Sequence, residues 1–146
     1  MKTILIPTDF SKNALHALEY AQELFKCERA CFFVLHAYAE EVYGQYKTAE
    51  KEDIEKLKQD KKEETEKKMD QLLDTVIGEP PNPLHNFETV ACFDNLVDGV
   101  NNFVDEMNID LVIMGTKGET SNHKTTFGSY TIEIFKYVKC PVLAVP

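Results

Sequence analysis

The chain has 146 residues, 43% of them hydrophobic, which suits a single domain over residues 1–146 with one core. Its 25 acidic and 16 basic residues give a formal net charge of −9, which argues against general nucleic-acid or anionic-membrane binding. No apolar run approaches the roughly 20 residues that span a bilayer. Met1-Lys2 leads directly into a predicted strand rather than a signal peptide, so we expect a cytoplasmic protein.

The four cysteines show no spacing that is typical of a metal site or a redox motif. They form no CxxC pair, and most lie within or beside apolar runs. We therefore expect reduced thiols with a largely structural role at Cys27, Cys31, Cys92 and Cys140.

Short apolar runs alternate with segments of helical periodicity, a pattern typical of parallel strands joined by crossover helices. The sequence therefore predicts an α/β fold. The predicted strands are Thr3–Ile6, Cys31–Leu35, Phe87–Cys92, Leu111–Met114 and Val142–Val145. Four helices are predicted. The first starts at Ser11, and the others run from Thr48 to Ile77, from Asn95 to Asn108 and from Ser129 to Tyr137.

The segment from Thr48 to Ile77 is dominated by Glu, Lys and Asp, which favours one long helix. We predict that its first half stands away from the body in solvent, because Lys61 and Thr65 interrupt its apolar stripe. A coiled-coil surface is the alternative, but fewer than three clean heptads support it. The stripe consists of Ile54, Leu57, Met69, Leu72 and Val76.

Three glycines follow the fourth predicted strand in the spacing G-x2-G-x9-G-S, which begins at Gly115 and ends at Gly128-Ser129. A loop that leads into a helix N-terminus presents unpaired N–H groups and the positive end of the helix dipole. Glycine lets the backbone approach a ligand and permits positive φ, while Lys117 and Lys124 can neutralise charge. The segment is therefore either a phosphate cradle or an ordinary glycine-rich connection.

The histidines carry no catalytic pattern, and the sequence contains no Walker motif, nucleophile elbow or kinase catalytic loop. His36 ends a buried strand, which favours a structural role, and His123 lies in the glycine segment. We predict no catalytic residue and no protein-held metal. If the glycine segment binds a phosphate ester, its hydrolysis is expected to be slow, because no residue is positioned by a recognisable motif to activate water.

Four segments in the same order resemble the ATP-binding type of the universal stress protein family. They are "ILIPTDFS", "VLHAY", "DLVIMGTKG" with "GS" nine residues later, and "KCPVLAVP". The resemblance implies a Rossmann-like, adenine nucleotide alpha hydrolase-like fold of three layers. Its five parallel strands would run in the order 3-2-1-4-5, with a ligand site where the strand order reverses.

The resemblance also implies ATP, or ADP or AMP, as ligand, with Mg²⁺ bridging phosphate oxygens. The nucleoside would lie at Pro7, Thr8, Asp9 and Ala37. The ribose and phosphates would lie at Met114, Gly115, Thr116, Lys117, Gly118, Gly128, Ser129, Tyr130 and Thr131.

Three residues depart from the family pattern. Phe93 follows strand three, where glycine is common, and we expect its ring to narrow the base pocket. Tyr130 replaces a small aliphatic residue, and Glu119 places a negative charge in the phosphate loop. These departures bear on affinity and on the identity of the nucleotide.

The last strand predicts a homodimer, because an apolar strand at a sheet edge exposes unpaired backbone groups. Its centre would be Val142, Leu143, Ala144 and Val145, and family members often dimerise in this way. The sequence thus favours a nucleotide-binding stress sensor or signalling dimer without efficient catalysis. The alternatives are a nucleotide-free interaction module that uses the charged helix, and a slow ATPase or phosphotransferase.

Overall fold

The structure of the chain is a computed structural model that describes residues 1–48, 54–117 and 127–146. These residues contain five strands and five helices. The strands are β1 (Lys2–Pro7), β2 (Ala30–Ala37), β3 (His85–Cys92), β4 (Leu111–Gly115) and β5 (Val142–Val145). The helices are α1 (Lys12–Leu24), α2 (Ala39–Thr48), α3 (Ile54–Val76), α4 (Leu96–Met107) and α5 (Ser129–Tyr137).

All five strands are parallel and form one sheet in the order β3-β2-β1-β4-β5, which confirms the expected topology. The chain moves outward from β1 to β2 and β3, then returns to the other side of β1 for β4 and β5. The strand order therefore reverses between β1 and β4, the position at which open α/β sheets have a ligand crevice at the carboxyl ends of the strands.

Helices cover both faces of the sheet because successive side chains of a strand point to opposite sides. One core contains Leu18 of α1 and Met69 of α3, and the other contains Val100 of α4 and Ile134 of α5. The interior strand β2, which lies between β3 and β1, is buried from Ala30 to His36, as expected for an apolar run covered on both faces.

Side chains fix the starts of α1 and α4 at the positions that the sequence predicts. Ser11 Oγ accepts a hydrogen bond from Ala14 N at 3.2 Å, and Asn95 Oδ1 accepts one from Asp98 N at 2.9 Å. Asn108 ends α4 in the left-handed conformation, with φ of 50°. Asparagine tolerates this conformation better than most residues, so it forms an effective C-cap.

The long helix predicted from Thr48 to Ile77 is present as α3 from Ile54 to Val76, while residues 49–53 lie outside the described chain. The prediction that the first half of this helix stands in solvent is wrong, because Lys61 in that half contacts Glu41 of α2 at 3.1 Å and its side chain is 13% exposed. In the second half, Thr65 and Met69 are 2% and 0% exposed. Lys61 and Thr65 belong to the packed face because a hydroxyl and a lysine stem can be buried against the body.

The four cysteines are free thiols: Cys31 is buried, Cys92 and Cys140 are half-buried, and Cys27 is exposed. Burial raises the pKa of the Cys92 thiol to about 11, which suits a structural rather than a reactive role. No helix within residues 1–48, 54–117 or 127–146 has the length and apolar character that crossing a membrane requires.

Candidate nucleotide-binding site

A cavity of about 150 Å³ lies at the carboxyl ends of β1 and β4, where the strand order reverses. Most of the residues that the sequence singles out line this cavity. They are Pro7, Thr8, Asp9, Ala37, Met114, Gly115, Lys117, Tyr130 and Thr131.

Three other predicted site residues within the described chain do not line the cavity. Thr116, Gly128 and Ser129 lie beside it, and Gly118 is outside the described residues, as are Glu119, His123 and Lys124. Gly128 N donates a hydrogen bond of 2.7 Å to the Thr116 carbonyl oxygen. This bond joins the end of β4 to the start of α5 and so fixes where α5 enters the site.

The turn after β1 is held by two short polar side chains. Thr8 Oγ1 accepts a hydrogen bond from Phe10 N at 3.0 Å, and Asp9 Oδ1 accepts one from Ser11 N at 2.9 Å. Phe10 has a positive φ of 64°, which is uncommon for a bulky residue. Asp9 therefore acts as a turn residue while it also lines the cavity.

The N-terminus of α5 has no side-chain cap, since its N-cap residue is Gly128. Its first N–H groups are therefore available to an anion near Lys117, the described lysine that lines the cavity. The Thr131 hydroxyl, which the sequence offers as a donor to phosphate, instead donates to the Gly115 carbonyl oxygen at 2.9 Å. Its role is to tie α5 to the end of β4.

Gly115 is glycine because α1 approaches it closely. A Cβ at this position would lie 3.1 Å from the backbone oxygen of Asn13, a crowded contact. Asn13 Nδ2 also donates to the Lys117 carbonyl oxygen at 3.0 Å. The described glycines have no positive φ, so the predicted conformational reason does not apply to them. At Gly115 the reason is helix packing.

His36 is buried at the floor of the site, and both ring nitrogens have partners. Nδ1 lies 2.7 Å from the Thr8 carbonyl oxygen, which can only accept, so Nδ1 carries a proton. Nε2 lies 2.9 Å from Glu41 Oε1. Hydrogen bonding to His36 is the main cause that lowers the pKa of Glu41 to about 2. Both ring nitrogens of His36 are thus engaged by the protein itself.

Charged contacts continue from this histidine into α3. Lys61 Nζ lies 3.1 Å from Glu41 Oε2 and 3.4 Å from Glu64 Oε2. Glu64 Oε1 in turn lies 3.2 Å from Lys68 Nζ, which is 5.5 Å from the centre of the Phe10 ring. The charged helix α3 is thereby connected to both the floor of the cavity and the turn after β1.

Tyr130 and Glu40 bridge the cavity from α5 to α2. The Tyr130 hydroxyl donates to Glu40 Oε2 at 2.7 Å, and both residues line the cavity. This hydrogen bond is the main cause that raises the pKa of Tyr130 to about 12. Phe93, by contrast, lies against Tyr38 and Tyr43 outside the cavity lining, so the prediction that it narrows the base pocket is wrong.

The sequence matches the universal stress protein family over residues 1–146, its full length. The chain belongs to this family. Similar solved structures agree on the fold. The universal stress protein UspA from Lactobacillus plantarum has a TM-score of 0.78 at 19% identity, with 99% of this chain and 97% of that one covered. No curated protein matches the chain in sequence.

Two further structures of the family contain nucleotides. A universal stress protein from Archaeoglobus fulgidus in complex with dAMP has a TM-score of 0.65 at 16% identity, and the match covers 100% of this chain and 98% of that one. A universal stress protein in complex with cAMP has a TM-score of 0.61 at 19% identity, covering 99% and 95% of the two chains.

This member of the family has five cavity-lining residues that sequence reasoning did not assign to the site. They are Ala14, His36, Glu40, Glu41 and Leu96. Glu40 and Glu41 belong to the first turn of α2, a helix that the sequence did not predict. Predicting a helix that starts after Ala37 would have identified these two residues, because the first turn of such a helix places acidic side chains at the carboxyl end of β2.

Proposed function

We propose that this universal stress protein binds ATP or another adenine nucleotide, ADP or AMP, in the cavity between β1 and β4. The nucleoside would lie against Pro7, Thr8 and Ala37, and the phosphates would point toward the start of α5. The observation that carries this proposal is the uncapped N-terminus of α5, which opens on the cavity beside Lys117.

The chemistry of the lining supports such a ligand. Ala37, Leu96 and Met114 provide an apolar surface for a base, and polar groups are few, as is usual in small-molecule sites. The family structures with dAMP and cAMP support adenine as the base. Mg²⁺, if present, would bridge phosphate oxygens rather than bind a cluster of protein ligands.

Binding without efficient catalysis is the second part of the proposal. A general base must reach the attacking water, but the His36 ring is engaged by Thr8 and Glu41. Glu41 is in turn held by His36 and Lys61. These partners support binding without efficient catalysis, and the role we propose for such a protein is to sense or signal the adenylate state in the cytoplasm as part of a stress response.

Retention of nucleotide by the purified protein tests the proposal. Protein purified without added ligand is denatured, and the released small molecules are separated by chromatography; titration calorimetry with AMP and ATP follows. We expect an adenine nucleotide to be released, or to bind on titration. Ligand at about 100 times its dissociation constant should stabilise the fold by roughly 2.7 kcal/mol. If neither AMP nor ATP binds, the proposal is wrong and the nucleotide-free interaction module takes its place.

A matched pair of glycine variants locates the site. Gly128→Val adds an isopropyl side chain at the start of α5, and we expect it to abolish nucleotide binding. Gly78→Val is the control, because a Cβ at Gly78 meets nothing within 4 Å. Circular dichroism establishes that both variants fold. Equal binding by the two folded variants would show that the glycine segment is an ordinary connection.

We further propose a homodimer formed through β5, which is an edge strand of the sheet. Val142, Leu143 and Ala144 are only half-buried, so apolar surface accompanies the unpaired backbone groups of this edge. Ile132 and Phe135 of α5 are 42% and 47% exposed and add to this apolar surface. They lie on the flank of α5 away from Tyr130 and its contact with α2.

A further inference from the structure

Among the described residues, the lining of the cavity carries more negative than positive side chains. Asp9, Glu40 and Glu41 are acidic, and Lys117 is the lysine that the described residues contribute to the lining. This balance is unexpected for a site that would hold the phosphates of ATP, since each phosphate adds negative charge. A bound phosphate chain would be repelled most by a carboxylate whose charge is not balanced by a neighbouring cation.

Glu41 is compensated within the protein. His36 and Lys61 contact its two carboxylate oxygens at 2.9 and 3.1 Å, so its charge is balanced by neighbouring donors. Glu40 differs, because the partner of its Oε2 is the neutral hydroxyl of Tyr130. None of the ion pairs among the described residues includes Glu40.

Tyr130 holds this carboxylate close to where phosphates would bind. Tyr130 is the second residue of α5, and its hydroxyl lies 2.7 Å from Glu40 Oε2. The Glu40 charge is therefore one tyrosine side chain and one hydrogen bond away from the first N–H groups of α5, a separation comparable with the ~8 Å screening length of physiological salt, and salt screens partly buried charges less than exposed ones. Negative potential from Glu40, Glu133 and Glu41 also contributes to the raised pKa of Tyr130.

We propose that the Glu40–Tyr130 bridge makes this site selective for adenine nucleotides with a single phosphate group, whether free or cyclic, over ADP and ATP. This inference rests on the proposed function. The bridge leaves the neutral adenosine part unaffected, whereas its fixed negative charge opposes every phosphate added along the chain. The repulsion grows with the number of phosphate charges, so ATP loses more affinity than AMP.

The bridge also limits the space beside the α5 N-terminus. Glu40 and Tyr130 approach each other across a cavity of about 150 Å³. A single phosphate can meet the N–H groups of α5 without passing the carboxylate. A longer phosphate chain must run past Glu40 or displace it from Tyr130, and displacement breaks a charge-assisted hydrogen bond.

The test compares AMP and ATP binding by calorimetry in EDTA, so that Mg²⁺ does not mask phosphate charge. We expect the wild-type protein to bind AMP about tenfold or more tightly than ATP. Glu40→Gln keeps an oxygen acceptor for Tyr130 and removes only the charge. We expect this variant to lower the ratio of the two dissociation constants by at least about threefold, mainly through tighter ATP binding.

Two further variants identify the charge as the cause. Glu23→Gln removes an exposed carboxylate at the far end of α1, and we expect the wild-type ratio. Tyr130→Phe retains the Glu40 charge and removes the bond, and we expect the ratio to fall less than in Glu40→Gln. A larger fall in Tyr130→Phe would assign selectivity to the hydroxyl and would overturn the proposal.

The outcomes separate this inference from the proposed function. If ATP binds to the wild-type protein as tightly as AMP, or if Glu40→Gln leaves the ratio unchanged, the inference is overturned while nucleotide binding stands. If no adenine nucleotide binds to the wild-type protein, the proposed function fails and this inference fails with it.

Discussion

Glu41 is a single carboxylate that connects three segments of the chain. It belongs to α2, contacts His36 at the end of β2, and contacts Lys61 of α3. The pKa of Glu41 is lowered from 4.5 to about 2, first by its hydrogen bond to His36, with further contributions from the charges of His36 and Lys61. Its ionised form is therefore favoured by the folded state, and this preference is a source of stability.

The stabilisation from Glu41 depends on pH with a defined sign. Because its pKa is lower in the folded protein, the stabilisation is complete above about pH 4.5 and is lost as the pH falls toward about 2. The Glu41 side chain is 41% exposed, so solvent screening reduces the effect to about 1 kcal/mol. We predict that Glu41→Gln lowers the free energy of unfolding by about this amount at pH 7.

Urea denaturation from pH 7 to pH 3 measures this effect. The difference between wild type and Glu41→Gln should shrink by more than half by pH 3, since the unfolded wild-type chain is then largely protonated at this carboxylate. Glu23→Gln, at an exposed pair with Lys26, serves as the control and should differ little from wild type. A constant difference across this pH range would show that Glu41 contributes through packing alone.

The site could be predicted from the sequence only where its residues are neighbours along the chain. Pro7, Thr8 and Asp9 follow one strand directly, and Met114 and Gly115 end another, so strand prediction places both groups at one edge. Tyr130 and Glu40 are 90 residues apart, and no local pattern connects them. Likewise, the closeness of Gly115 to α1 is a tertiary contact that the glycine spacing does not reveal.

Among the helices, α3 shows how composition can mislead. Most of its residues are charged, yet Thr65 and Met69 are buried on its inner face. We predict that Met69→Ala destabilises the protein by about 2 to 4 kcal/mol, because it leaves a cavity between α3 and the sheet. Lys67→Ala, at an exposed position of the same helix, should change stability by less than about 0.5 kcal/mol.

Thermal or urea unfolding of the two variants measures the contrast. Similar stabilities for Met69→Ala and Lys67→Ala would mean that the second half of α3 does not pack on the sheet in solution. The same comparison tests the coiled-coil alternative, in which Met69 would contribute only upon association and its effect would depend on protein concentration.

The elements themselves differed in how well they could be predicted. The five strands are where the apolar runs predict them, although β1, β2 and β3 extend beyond the predicted ends. Strand order came from the family resemblance, because apolar patterning does not specify which strands are neighbours. Helix α2 was missed since it buries little beyond Ala39 and Val42 and contains Gly44, a poor helix former.

The exposed apolar side chains of α5 bear on how two chains would associate. We predict that Phe135→Glu weakens the proposed dimer at least tenfold, because it places a charge beside the apolar edge of β5. Tyr20→Glu is the matched control, since Tyr20 is an exposed aromatic residue on α1. Analytical ultracentrifugation over a range of concentrations measures both. Dimers of equal stability would locate the interface away from this flank.

The contacts that connect the turn after β1 with α3 form a closed circuit. Starting from the floor of the cavity, it passes through Thr8, His36, Glu41, Lys61, Glu64, Lys68 and Phe10, and Phe10 N returns to Thr8 Oγ1. A circuit differs from an open chain of contacts because each member is restrained from two directions. Breaking one contact leaves the remaining members joined. Moving Thr8 would affect both its contact with His36 and its contact with Phe10. The floor of the cavity and the charged surface of α3 are thus joined by a closed set of contacts.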